Sequence, residues 1–340
     1  MTLGKETDDK LIPHEIVFGC VTEETGMFKN QVVDGILGLA NGKASIDFPS
    51  INKQLYHENA TDSSMFMLCI GKDEGTLIFG GYDPKLRFSE NDQLVWIPTI
   101  SSRYYSIELD KFYVGNVHVP HIPRVGTIDS GSSWVITSHS VIQYLYHAFA
   151  QYCEKEEFRC IGKQVKHKHK GLCYTYDTTM NMSLRDWMRS YPTLTFQIDV
   201  PSPENSTDQS ESKSIQLHWY PSEYFTRLQD THDFCIQMIS IANQHETILG
   251  ASFLSQYMIA FQPDENQVGF MRANCQDDPN RISTPIVDET PEMMVEECHM
   301  CDLKQEEVNI ILFLAVGLLV VMLLSIMLLG KYKIKILSII

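Results

Sequence analysis

The sequence predicts an all-β body on three observations. Apolar or alternating runs of strand length follow one another from residue 65 to residue 119, punctuated by Gly, Pro and Asn. Residues 125–137 read VGTIDSGSSWVIT, two apolar runs joined by a Ser-Gly-Ser turn. Before residue 277 only one long stretch, 138–153, changes to a helical period. At 340 residues the chain can form one large or two modest domains and bury a real core.

The elements follow in order. The opening MTLGKETDDK is polar and has no apolar core of signal-peptide length. Residues 15–20 (EIVFGC) read as a strand, and 31–40 (QVVDGILGLA) as a strand, a glycine turn and a buried segment. Residues 65–72 (MFMLCIGK) and 76–81 (TLIFGG) are two further strands, and Tyr82-Asp83-Pro84 turns the chain into a connection. From 94 to 119 strands succeed one another, with a turn at Val114-Gly115-Asn116. Over 138–153, Val141, Leu145, Ala148 and Phe149 share one helical face, with Ser138 or Ser140 as N-cap. Trp187 and Met188 sit between Arg185 and Arg189 in a short helix, read as core packing with a cleft contact left open.

Residues 163–170 (KQVKHKHK) form a basic loop, and His167 and His169 raise the question of a metal site. No carboxylate or cysteine set completes one, so the stretch reads as a solvated charge run, with no metal expected. Residues 201–214 (PSPENSTDQSESKS) read as an exposed insertion. After Cys275 the chain turns acidic and proline-containing over 277–308, the composition of a stalk. Residues 310–329 (IILFLAVGLLVVMLLSIMLL) are uncharged and long enough to span a bilayer as a helix. Lys331, Lys333 and Lys335 follow that span, while Glu296, Glu297, Asp302, Glu306 and Glu307 precede it. The bias puts a short tail in the cytoplasm and the globular body outside or in a lumen. That orientation normally needs an N-terminal signal, so residues missing from the start are expected.

A formal net charge of −16 argues against a nucleic-acid partner. The nine cysteines lack paired zinc-ribbon spacing and fit disulfides in an oxidising compartment, the odd count leaving at least one thiol unpaired or intermolecular. Cys298 and Cys301 fit a disulfide within the stalk or between chains better than a metal or haem site. Asn59, Asn181 and Asn205 each begin a glycosylation acceptor pattern, in keeping with a secretory route.

The chemistry centres on Asp129. Gly131 can take backbone conformations closed to other residues, so neighbouring N–H groups and the Ser130 and Ser132 hydroxyls can reach the carboxylate. An isolated Asp-Ser-Gly is usually a hairpin turn with a solvated acid; the surroundings argue otherwise. Downstream lies Glu246-Thr247-Ile248-Leu249-Gly250-Ala251-Ser252-Phe253-Leu254, then Tyr257, Ile259, Phe261 and Val268-Gly269-Phe270. Together with Asp129 these resemble the C-terminal lobe of pepsin-like aspartic proteases, in their nepenthesin-type branch. Tyr104-Tyr105-Ser106-Ile107, Gly171-Leu172-Cys173-Tyr174, Tyr191-Pro192-Thr193-Leu194 and Phe234-Cys235 extend the resemblance, which covers about residues 14–276.

The resemblance implies a bilobal pepsin-like acid protease fold with an incomplete N-terminal lobe, plus one C-terminal transmembrane helix. Residues 1–88 would be the remnant of the first lobe and 89–276 the second. An acidic stalk (277–308), the span (309–330) and a cytoplasmic tail (331–340) would follow. Asp129 would be the second of two catalytic acids. Ser130 would brace two loops against each other, Ser132 would hold the outer carboxylate oxygen, and Ile248, Leu249 and Gly250 would brace the loop from below. In the first lobe Ile36, Leu37 and Gly38 would be the equivalent bracing segment, here without its loop. A search for Asp-[Ser/Thr]-Gly returns only Asp129, and neither the upstream D-T-G nor the flap tyrosine has a match. The implied reaction is hydrolysis of a peptide or protein substrate by a water activated between two carboxylates, with no cofactor. Two alternatives stand beside it: a catalytically dead binding module, and a homodimer that pairs two Asp129 loops, which the first-lobe remnant would obstruct.

Overall fold

The computed structural model describes residues 2–3, 12–13, 15–30, 33, 35–41, 49–71, 74–155, 159–167, 171–200, 213–255, 257–275 and 296–298. Among these residues strand is the main regular structure and helices are few, in keeping with a pepsin-like fold. A two-residue pair, β1 (Thr2–Leu3) with β2 (Ile12–Pro13), stands apart from four larger sheets.

The sheet that carries the central motif is assembled from distant segments. Its strands are β6 (Ser106–Glu108), β9 (Val125–Ile128), β10 (Val135–Thr137), β17 (Met238–Ser240) and β18 (Thr247–Leu249), in the order β17-β10-β18-β9-β6. The two runs flanking Asp129 therefore do not pair with each other as a hairpin. β18 passes between them, parallel to β9 (Ile248 opposite Thr127) and antiparallel to β10 (Ile136 opposite Ile248). Burial on both faces explains why β9 reads as a near-continuous apolar run instead of an alternating one.

A second sheet joins β3 (Phe66–Ile70), β4 (Gly75–Phe79), β5 (Val95–Pro98), β19 (Tyr257–Gln262) and β20 (Gln267–Arg272), in the order β4-β3-β19-β20-β5. Phe66, Tyr105 and Phe261 pack ring to ring at 4.5–5.8 Å and tie this sheet to the first. A third contains β7 (Lys111–Val114), β8 (Val117–Val119), β13 (Leu194–Val200), β14 (Lys213–Trp219) and a terminal two-residue strand, β21 (Glu296–Glu297), alongside β8. The turn between β7 and β8 falls at Gly115, whose φ of +60° is one that glycine adopts without strain. The fourth holds β11 (Lys163–Val165), β12 (Cys173–Thr175), β15 (Phe225–Arg227) and β16 (Asp233–Ile236).

The described residues also contain five short or medium helices: α1 (Ile51–His57), α2 (His139–Glu154), α3 (Leu184–Arg189), α4 (Pro221–Tyr224) and α5 (Ala251–Leu254). In α2 the predicted face is the buried one, Val141, Ile142, Leu145, Ala148 and Phe149, and Ser138 Oγ accepts from the Val141 N–H as N-cap. Trp187 of α3 is fully buried against Tyr176, Tyr191, Phe225 and Phe234, which makes it core; such a side chain contributes on the order of 2–3 kcal/mol of burial. Cys69 bridges to Cys275, Cys153 to Cys160 and Cys173 to Cys235; Cys298 is also disulfide-bonded, and Cys20 is free and exposed.

Several expectations need correction. Residues 15–20 are not a strand: among the described residues they have no partner strand, and an unpaired strand leaves its backbone groups unsatisfied. The Gln54 side chain instead bonds both the N–H and the C=O of Val17. Residues 35–39 likewise form no strand and lie largely exposed, so the segment is not buried. Lys213 and Ser214 open β14 and do not belong to a loop insertion; 201–212 lies outside the described residues. The basic stretch is partly strand, and His167 is committed to Asp233 through Nε2 and Oδ2 at 2.7 Å. Among the described residues no helix is long and apolar enough to cross a membrane; the predicted span 310–329 lies outside them.

Candidate active site

The site begins where β9 ends. The Ile128 N–H donates to the Tyr105 carbonyl (3.0 Å) and the Asp129 N–H to the Leu249 carbonyl (3.1 Å), so β6 and β18 hold the backbone from both sides up to the acid. The chain then turns tightly, the Ser132 N–H donating to the Asp129 carbonyl at 3.2 Å. This turn brings two donors onto the carboxylate. The Gly131 N–H reaches Oδ1 at 2.9 Å and the Ser132 hydroxyl reaches Oδ2 at 2.7 Å. Each carboxylate oxygen thus accepts one hydrogen bond from the loop itself. Asp129 is half-buried, whereas Ser130 and Gly131 are exposed.

Gly131 serves differently from the sequence expectation. It is not among the glycines of positive φ, which among the described residues are Gly26, Gly80, Gly115 and Gly162. A Cβ there would lie 3.1 Å from Asp129 Oδ1, so its value is the close approach of backbone to carboxylate. Gly250 is more constrained still. A Cβ on it would stand 2.2 Å from the Trp134 carbonyl oxygen and 2.6 Å from that of Ser132. Only a residue without a side chain lets the segment after β18 pass this close. Beyond it the Ala251 N–H donates to Ser132 O (2.7 Å) and the Ser252 N–H to Ser133 O (3.1 Å). Ile248 and Leu249 are the paired residues of β18 beneath the loop.

Under the loop runs a polar chain that sequence reading missed. Thr127 Oγ1 donates to Glu246 Oε2 at 2.7 Å, and Ser106 Oγ shares a hydrogen bond with Thr127 Oγ1 at 2.9 Å. Thr137 and Thr247 exchange a buried hydroxyl contact at 3.1 Å between β10 and β18. The available signal was the period of two on β9, which puts Thr127 on the same side as Asp129. Tyr105 beside them is kept a neutral phenol, its pKa raised first by burial and then by the Asp264 carboxylate.

The other predicted residues do not join Asp129. Ile36 and Leu37 are 74% and 50% exposed, and a Cβ on Gly38 would meet nothing within 4 Å. With Val17, Phe18, Val21, Phe28 and Val33 they line an open apolar basin of about 1040 Å³. The Ser130 hydroxyl has no hydrogen bond among the described residues. Asn59 and Asn181 are exposed; Asn205 lies outside the described residues. No group of His, Cys, Asp and Glu side chains among the described residues could hold a metal ion.

A family model for eukaryotic aspartyl proteases matches residues 9–273. The chain belongs to that family. Among curated proteins it is similar to Aspartic protease 5 of Toxoplasma gondii, 25% identical over 257 residues that make up 76% of this chain and 23% of that protein. It is also similar to mouse gastricsin, 26% identical over 264 residues, 74% of this chain and 57% of that protein. Plasmepsin V of Plasmodium falciparum is 19% identical over 333 residues, 81% of this chain and 55% of that protein. The chain thus spans between about a quarter and a little over half of these relatives.

Proposed function

We propose that the chain is the Asp129-bearing part of a membrane-anchored, nepenthesin-type aspartic endopeptidase. Its globular part would be lumenal or extracellular, and its first catalytic acid would lie on a loop this sequence does not contain. The division proposed is a first-lobe remnant (1–88), a second lobe (89–276), a stalk (277–308), a span (309–330) and a short cytoplasmic tail (331–340), with sugars on Asn59, Asn181 and Asn205.

One observation carries this reading. Asp129 is held by one donor on each carboxylate oxygen, while the loop's remaining hydroxyl, on Ser130, is exposed and has no hydrogen bond among the described residues. A second Asp loop docked there would place two carboxylates close enough to share one proton, since like charges about 3 Å apart cannot both ionise. The ionised member would take a proton from water as the water attacks the peptide carbonyl. The protonated member would hydrogen-bond the developing oxyanion. Ser130 would bridge the two loops, and Ile36, Leu37 and Gly38 would brace the second as Ile248, Leu249 and Gly250 brace the first.

The test joins transcript mapping to enzymology. An in-frame extension encoding a second Asp loop should yield an enzyme that cleaves a peptide library at acidic pH, with Asp129→Asn lowering kcat by at least about 10³-fold. Cleavage by the extended enzyme that survives Asp129→Asn would refute the assignment. Peptide binding without turnover, in a chain whose message begins at Met1, would favour the second reading, a catalytically inactive pepsin-like binding module. The presence of a single Asp-Ser-Gly motif motivates that reading.

A further inference from the structure

The carboxyl-terminal region carries a feature that proteolysis does not use. Glu296 and Glu297 form β21, parallel to β8, with Glu296 opposite Val117 and Glu297 opposite His118. The Glu296 N–H donates to the Asn116 carbonyl at 2.9 Å, and Asn116 Nδ2 donates back to Glu296 Oε1 at 3.4 Å. The Lys155 ammonium, just past the end of α2, pairs with the Glu296 carboxylate. His118 Nδ1 meets Glu297 Oε2 at 3.0 Å, and Gln151 Nε2 donates to the Glu297 carbonyl at 3.1 Å. Cys298 is 3% exposed and packs into the main hydrophobic cluster. Single surface ion pairs are worth little. Here backbone pairing, two carboxylates with separate partners and a buried sulfur converge on three consecutive residues, and they cover an edge of β8 that would otherwise be open.

We infer that residues 296–298 are a strap that latches the carboxyl-terminal segment to the β8–α2 corner. The tether between body and membrane therefore starts at Cys298 and not at Cys275. The consequence rests on the membrane-anchored reading proposed above. Fully extended, the chain from Cys275 to Ile310 could reach roughly 120 Å, whereas from Cys298 it reaches roughly 40 Å. The latch thus holds the body close to the bilayer with one corner facing it. The substrates it favours are polypeptides presented near the membrane surface.

The test uses the full chain in detergent micelles and in lipid vesicles. In micelles, hydrogen exchange should show the Glu296 amide, which donates to the Asn116 carbonyl, protected at least ~10-fold. Glu296→Lys with Glu297→Lys should remove that protection, and so should Lys155→Glu alone, while Lys155→Glu combined with Glu296→Lys should restore it. In vesicles, energy transfer from a dye on the exposed Cys20 thiol to headgroup acceptors should fall in the unlatched variants and recover in the charge swap. An unprotected Glu296 amide in the parent chain would overturn the latch whatever the membrane result. A protected amide in a chain that fails to float with vesicles would overturn the tether and place the fault in the membrane reading. Protection with flotation, but with energy transfer unchanged on unlatching, would overturn the shortened reach.

Discussion

Gly250→Ala tests the packing that fixes Asp129. The φ at Gly250 is −84°, which alanine adopts freely, so the cost is purely steric. The new methyl would lie 2.2 Å from Trp134 O, 2.6 Å from Ser132 O and 2.7 Å from the Trp134 carbonyl carbon, where ordinary contact begins at 3.4 Å. Backbone surrounds it, so relief requires the β18 exit and the Asp129 loop to separate by about 1 Å. Three hydrogen bonds cross or flank that gap: Ala251 N–H to Ser132 O, Ser252 N–H to Ser133 O, and Asp129 N–H to Leu249 O. Losing two at about 1 kcal/mol each, on top of about 1–3 kcal/mol for overpacking, gives a destabilisation of about 3–5 kcal/mol. The assay is urea unfolding of the full chain in micelles beside Gly38→Ala, which meets nothing within 4 Å and should stay within about 0.5 kcal/mol. A Gly250→Ala loss below about 1 kcal/mol, or an equal loss at Gly38, would refute the reasoning.

Three further outcomes are expected. Replacing Cys69 and Cys275 by alanine opens a crosslink of sequence separation 206 and should cost about 3–5 kcal/mol, read as a lower denaturation midpoint. Burial, and then the Arg272 guanidinium, holds the His218 pKa down at about 4. The unfolded chain takes up this proton near pH 6.5, so stability falls between about pH 6.5 and about pH 4; His218→Asn should recover up to roughly 2–3 kcal/mol of that loss at pH 4. The Thr175 hydroxyl, and after it the His167 ring, keeps the Asp233 carboxyl below its ordinary value. That contribution is complete above the unfolded value of about 4 and is lost as pH falls through the folded one, so Asp233→Asn should flatten the acid limb of the stability curve below about pH 4.

Local signals were legible where local physics decides. The face of α2 follows from the spacing of Val141, Leu145, Ala148 and Phe149, and its start from Ser138. The Asp129 turn follows from two apolar runs meeting at Ser-Gly-Ser. The pairing was not legible: β9 and β10 look like a hairpin, but a strand more than a hundred residues downstream runs between them. Periodicity specifies that a segment is extended and is silent on its neighbour. The glycines show the same limit, since Gly131 and Gly250 matter for what approaches them and not for their own torsions. Residues 15–20 fail for the converse reason, a strand-like pattern without a partner. Glu296 and Glu297 look like stalk because two adjacent acids carry no pattern; their order depends on Lys155, His118 and Gln151, brought there by the fold.

On the reading proposed above, the exposed apolar segment, more than the carboxylate, discriminates among the ways the site could be completed. Two Asp129 loops meeting across a homodimer would supply the second acid and give Ser130 a partner. They would leave Val17, Phe18, Val21, Ile36 and Leu37 bare in both copies, and residues of this kind gain about 1.5–3 kcal/mol each on full burial. An added strand and loop from the same lobe would bury that basin, place a backbone against Gly38 and present a carboxylate to Asp129 in one step. The two routes therefore differ in a simple observable. If the extension is present, Gly38→Ala should become nearly as costly as Gly250→Ala, because Gly38 will then have backbone against it. In a dimer of the chain as given, Gly38→Ala should stay neutral while activity depends on protein concentration.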